Sequence, residues 1–220
     1  MFAYCNNNPV MYSDSTGKSP VMTSVLAGAT IGFNAMGSIG GVLISVGWMG
    51  ASMGSSACSS SVGAAQPYVN MPGSNDRNSP NCYAYAIGSS INEQPGGRSG
   101  RTPTKWNDVN DVGISVEADL KSIGKTVRVI NGPNSMVYNN EFKIALRVGT
   151  QPYAYNRITG ELYYDYHFMR QTNTGQWAEK HGIGGESVLW DSGMTPDTIP
   201  WTLNGMEYYD SKIIYYAVGN

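Results

Sequence analysis

Polar and apolar positions divide the 220-residue chain into three stretches. Residues 1–18 carry few charges, and between Lys18 and Asp76 there is no Asp, Glu, Lys or Arg at all. From Asp76 to Asn220 charges return, and the apolar positions take on the periods of regular structure. Ser79 as N-cap, Pro80 as first helical residue and Gly88 as breaker predict a short helix beginning at Pro80. A capping Ser115, early acids, Lys121 and a terminal Gly124 predict a second helix. Strands are expected over residues 125–130, 141–148, 187–191 and 212–218. A β-hairpin is expected from residues 161–171 and 176–180, turning through Thr172-Asn173-Thr174-Gly175. Few helices followed by antiparallel strands give an α+β fold.

Composition narrows the chemistry. A hydrophobic fraction of 41% with 5 Trp, 15 Tyr and 4 Phe supplies a core, so wholesale disorder is not expected. A net charge of −2 argues against a nucleic-acid partner. With 3 cysteines and 2 histidines the chain supplies neither a disulfide framework nor a standard structural zinc site, and no metal or cofactor is expected. The phosphate loop, His-Glu-x-x-His, Gly-x-Ser-x-Gly and dinucleotide glycine signatures are missing. Cys5 and Cys58 read as reduced bystanders.

The uncharged residues 19–75 admit two readings. Gly28/Gly32, Gly37/Gly41 and Gly50/Gly54 have the Gly-x-x-x-Gly spacing that lets helices approach closely, and residues 21–65 are long enough to enter a bilayer. Glycine at this density, at about 1 kcal/mol per helical position, equally describes a loose linker. No basic region precedes the stretch, so it is not a conventional signal peptide.

Cys82 would lie in the first turn of the helix from Pro80, where unpaired backbone N–H groups favour the thiolate, the form that attacks carbon. The same Cys-Tyr-Ala spacing also suits a buried apolar face. His167 falls on the first hairpin strand, sharing a face with Tyr163, Asp165 and Met169. A cysteine on a helix, then a histidine on a strand, then a polar orienting residue is the order of nucleophile, base and orienter. Asp191 is the first choice as orienter, ahead of Glu179 and Gln176. For an oxyanion hole the Cys82 backbone N–H is the natural donor, with Asn81 or Asn78 as a side-chain candidate. His181 reads as a loop residue. Residues 94–101 read as a flexible loop carrying Arg98 and Arg101 near the nucleophile helix.

Two resemblances add to this. Phe2-Ala3-Tyr4-Cys5-Asn6-Asn7-Asn8-Pro9 followed by Asp14-Ser15-Thr16-Gly17 resembles the end of the core domain of Rhs and YD-repeat proteins, with Ser15 where that family usually has Pro. Asn-Cys-Tyr-Ala-Tyr-Ala (81–86) with Asp-Tyr-His-Phe-x-Arg-Gln (165–171) resembles papain-like cysteine domains at the tips of bacterial toxins. After the Trp the family usually has a His-Lys-Pro-Gly-like run, and this chain has Glu179-Lys180-His181-Gly182. The resemblances imply the end of an Rhs core at 1–18 and a papain-like toxin domain at 76–220, on either side of the uncharged linker or membrane-active segment at 19–75. They further imply Cys82 as nucleophile and His167 as base, acting on a protein or peptidoglycan substrate. The implied context is a secreted effector of interbacterial competition, carried by a larger Rhs protein and restrained by a cognate immunity protein. The rival expectation is a toxin that permeabilises membranes through residues 21–65, with a non-catalytic C-terminal binding domain.

Overall fold

A computed structural model describes residues 59–219. The Rhs-like stretch and most of residues 21–65, on which the membrane reading depends, lie outside the described residues. The compact unit begins at Ser59, upstream of the charge boundary at Asp76. Uncharged residues 59–75 reach into the domain through main-chain groups. Ser59–Ser60 (β1) pairs with Val137–Tyr138 (β3), and Ala64 N donates to Glu141 O at 2.6 Å. The buried Lys143 ammonium donates to Ser61 O at 2.6 Å and also to Pro133 O. Further on, Ser187 N donates to Met71 O (2.8 Å), Met71 N donates to Ser187 Oγ (2.7 Å), and Arg170 Nη2 donates to Pro67 O (3.0 Å). A segment without charged side chains is thus fixed by its backbone.

Two helices, α1 (Cys82–Ile87) and α2 (Val109–Ser122), precede the main strands. These are β2 (Thr126–Ile130), β4 (Glu141–Val148), β7 (Tyr166–Gln171), β8 (Trp177–Lys180), β9 (Ser187–Leu189) and β12 (Ile214–Gly219). They form one antiparallel six-stranded sheet in the order β2-β12-β4-β7-β8-β9, so the fold is α+β. Alternation along the strands divides the core. Ile144, Leu146, Phe168, Tyr216 and Val218 pack with Val112, Val116 and Leu120 of α2 and Tyr83 and Ala86 of α1. On the opposite face, Ala145, Met169, Trp177, Tyr215 and Ala217 pack under Ile199, Trp201 and Tyr209. Among the described residues no helix is long and apolar enough to cross a membrane.

The structure revises several element boundaries. Helix α2 starts at Val109, capped by Asp108 Oδ1 accepting from Asn110 N at 2.9 Å, and not at Ser115, which is buried within it. Gly113 hides this start because it reads as a breaker, yet a side chain there would meet the Tyr216 hydroxyl at 2.3 Å. The expected long hairpin strand 161–171 is broken at Tyr164-Asp165. Its first part, β6 (Leu162–Tyr163), pairs with β5 (Ala154–Tyr155), and the Asp165 carboxylate accepts from Tyr166 N (2.9 Å) as β7 begins. The 94–101 loop is pinned: Asp119 accepts from the backbone of Gly96, Arg98 and Ser99. Its arginines are paired, Arg98 with Glu93 and Arg101 with Asp111.

Candidate active site

Each residue of the 81–86 motif has a physical task in α1. Asn81, and not Ser79, is the N-cap: its Oδ1 accepts from Ala84 N at 2.9 Å, which makes Cys82 the first helical residue. The Asn81 amide is then spent, donating to Glu93 O (2.6 Å) and the Tyr166 hydroxyl (3.2 Å). The structure therefore places Asn81 as a positioning residue, with no free donor for an oxyanion. Tyr83 Oη donates to Asp119 (3.1 Å) and Tyr85 Oη to Val69 O (3.4 Å). Arg170 on β7 lies over the Tyr85 ring at 4.4 Å and donates to Tyr85 O at 3.2 Å, serving a carbonyl in the last turn of α1. Gly88 ends the helix in the left-handed region at φ 78°.

Cys82 is 5% exposed, and its Sγ donates to Tyr166 O at 3.7 Å. Burial pushes the thiol far above its ordinary range and the nearby Asp165 adds to this, outweighing the backbone N–H groups of Phe168, Tyr83 and Cys82. The resting group is a protonated thiol, where position at the helix start alone had favoured the thiolate. It comes from the helix layer, whereas His167 packs with Tyr209 and Trp201 on the other face of the sheet. Both line one cavity of about 590 Å³ at the start of β7, with Trp106, Asp165, His181 and Tyr209 among its walls. Gln94 also reaches this wall; its Oε1 accepts from the Tyr166 hydroxyl, which leaves its amide nitrogen as a donor.

The residue bound to His167 is Glu179, with Nε2 to Oε2 at 2.7 Å. Asp191 does not fill that place: it is exposed in the turn after β9, its carbonyl accepting from Met194 N at 3.1 Å. Gln176 donates its amide to Trp190 O at 2.9 Å. Glu179 is 1% exposed and its second oxygen accepts from Trp190 Nε1 at 2.9 Å. Burial alone would raise its pKa, but hydrogen bonds from His167 and His181 outweigh that and hold it at about 2. The hairpin register explains the meeting. Met169 pairs with Glu179 and Gln171 with Trp177, so extending the ladder brings His181 level with His167 on the same face. That register was a readable signal for both Glu179 and His181.

Among the described residues His167, Glu179 and His181 form the group of metal-ligating type, their ligand atoms within 4.8 Å of one another. The two rings lie in nearly parallel planes, 15° apart with centroids at 5.5 Å. Lone pairs in parallel planes do not converge on one ion, so the arrangement fits two imidazoles on one carboxylate better than a metal centre. Comparison with family models, curated proteins and solved structures finds no match for this chain.

Proposed function

We propose that the described domain is a cysteine-dependent amidase or acyl transferase of papain-like type, the effector part of a secreted Rhs-borne toxin. The observation that carries the reading is the cavity shared by Cys82 and a His167 already hydrogen-bonded to a buried carboxylate. With Nε2–H donating to Glu179, the other nitrogen, Nδ1, is the base. It takes the Cys82 proton as the thiolate attacks the carbonyl carbon, and Glu179 holds the imidazolium that forms. Proton transfer within the attack removes the need for a free resting thiolate, which burial opposes. The Gln94 amide, on the wall of the same cavity, is the donor this reading assigns to the developing oxyanion. His167 then returns the proton to the leaving amine, and water or a second amine resolves the thioester. Peptide hydrolysis, side-chain deamidation and acyl transfer share these steps; a protein or peptidoglycan substrate, an Rhs carrier and an immunity protein complete the reading.

The test is alkylation of Cys82 in the full chain by limiting iodoacetamide between pH 5 and 9, read by peptide mapping so that Cys5 and Cys58 are scored separately. Wild type is expected to react near neutral pH and His167→Ala about 100-fold more slowly. An inert Cys82, or one indifferent to His167, would identify a core cysteine and end the enzyme reading.

A further inference from the structure

His181 is one of the chain's 2 histidines, and both present Nε2 to the same carboxylate. His167 Nε2 lies 2.7 Å from Glu179 Oε2 and His181 Nε2 lies 3.4 Å from Oε1. The loop bearing His181 is built to hold it there. Buried Lys180 donates to the carbonyls of Gly182 (2.7 Å), Ile183 (3.0 Å) and Gly185 (2.6 Å). Gly185 N donates to His181 O at 2.9 Å, and a side chain at Gly185 would come within 2.5 Å of the His181 Cβ. The side chains differ in access to water: that of His181 is 39% exposed and that of His167 3%.

We propose that His167 and His181 form one coupled proton pair bridged by Glu179, in which His181 is a positioning residue that sets the pH at which His167 is a free base. Only the word base rests on the proposed function; the bridge stands on the geometry. A carboxylate shared between two imidazolium rings stabilises each less than it would stabilise one alone, and the stacked cations repel. The hydrogen bond that His181 donates to Glu179, opposed by burial, raises the pKa of His181. While His181 is charged, Glu179 gives less support to an imidazolium at His167. Once His181 is neutral, no second cation competes with His167 for the carboxylate.

Other groups bear on the pair. Lys180 follows Glu179 and disfavours charge on His181. Arg147 pairs with His167 across β4 and β7, its guanidinium over the Trp201 ring at 5.6 Å. Asp165 and the Cys82 thiol share the cavity, and Tyr209, stacked on His167 at 5.2 Å, donates its hydroxyl to Asp165 at 2.9 Å. All of these remain in a His181 variant, so the change reads the bridge.

With only 2 histidines, their Cε1–H resonances in the full chain can be followed from pH 4 to 9 without overlap. Each wild-type curve is expected to show two inflections, one at the partner's midpoint. In His181→Gln the His167 curve becomes a single step with its midpoint raised by about one pH unit or more. By reciprocity His167→Gln raises the His181 midpoint. Unchanged midpoints, or independent single steps in wild type, would overturn the coupling. His181→Phe, which keeps the stacked ring, provides the same readout should the Gln variant fail to fold. Failure of Cys82 alkylation to depend on His167 would remove the enzyme reading and leave this coupling intact.

Discussion

Two buried carboxylates in this domain answer to different kinds of donor. Asp119 is fully buried and accepts from Gly96 N (2.7 Å), Arg98 N (3.1 Å), Ser99 N (2.7 Å), Ser99 Oγ (2.7 Å) and Tyr83 Oη (3.1 Å). None of these donors changes protonation in the working range, and burial beside Asp119 pushes the Tyr83 phenol higher still. Glu179 accepts instead from two imidazoles, His167 and His181, and from Trp190. The first carboxylate therefore fixes a loop between α1 and α2, and the second is shared by two imidazoles, the side-chain type able to gain a proton near neutral pH. Burial alone does not mark a functional acid; the titratability of what surrounds it does.

The comparison can be broken most severely at Glu179. Glu179→Gln keeps the volume and removes the charge, and is expected to slow Cys82 alkylation at neutral pH by about 100-fold or more while near-UV circular dichroism is retained. A Gln variant that reacts like wild type would reduce Glu179 to the structural class of Asp119. Asp119→Ala should show the opposite pattern, with about 3–5 kcal/mol of stability lost because five donors are stranded. Its thermal midpoint should fall by roughly 10 °C, and the fraction still folded should keep its His167-dependent alkylation. The smallest effect is on acid stability. A Glu179 pKa of about 2 against an ordinary 4.5 means a contribution fully present above pH 4.5 and lost as pH falls toward 2. Between pH 5 and pH 2.5, urea unfolding should show wild type losing about 2 kcal/mol more than Glu179→Gln.

The parts legible in the sequence were those written locally. The places of Cys82 at a helix start and His167 on a strand, the strand over residues 141–148 and the break at Gly88 depend on caps, alternation and a breaker within a few positions. The α+β class followed from the order of such elements. What was missed is relational. Gly113 discourages a helix until Tyr216, a hundred residues later, is seen filling the space beside it. Asn81 offers an amide until Glu93 and Tyr166 take both its donors. Asp191 and Glu179 are equivalent acids after a histidine until strand pairing puts one beside the ring and leaves the other in a turn. The pairing of Met169 with Glu179 contained that answer, available to anyone who folded the hairpin on paper.

Lys180 follows Glu179 on β8, and successive strand residues face opposite ways, so one short strand sends an anion to the imidazoles and a cation to three loop carbonyls. A single-residue slip of β8 against β7 would exchange the two, burying an ammonium against His167 and a carboxylate among carbonyl oxygens. Neither error could be absorbed by small movements. The adjacent opposite charges therefore act as a lock on strand alignment: the misaligned hairpin is penalised at both faces at once, which fixes the length of the 172–176 turn.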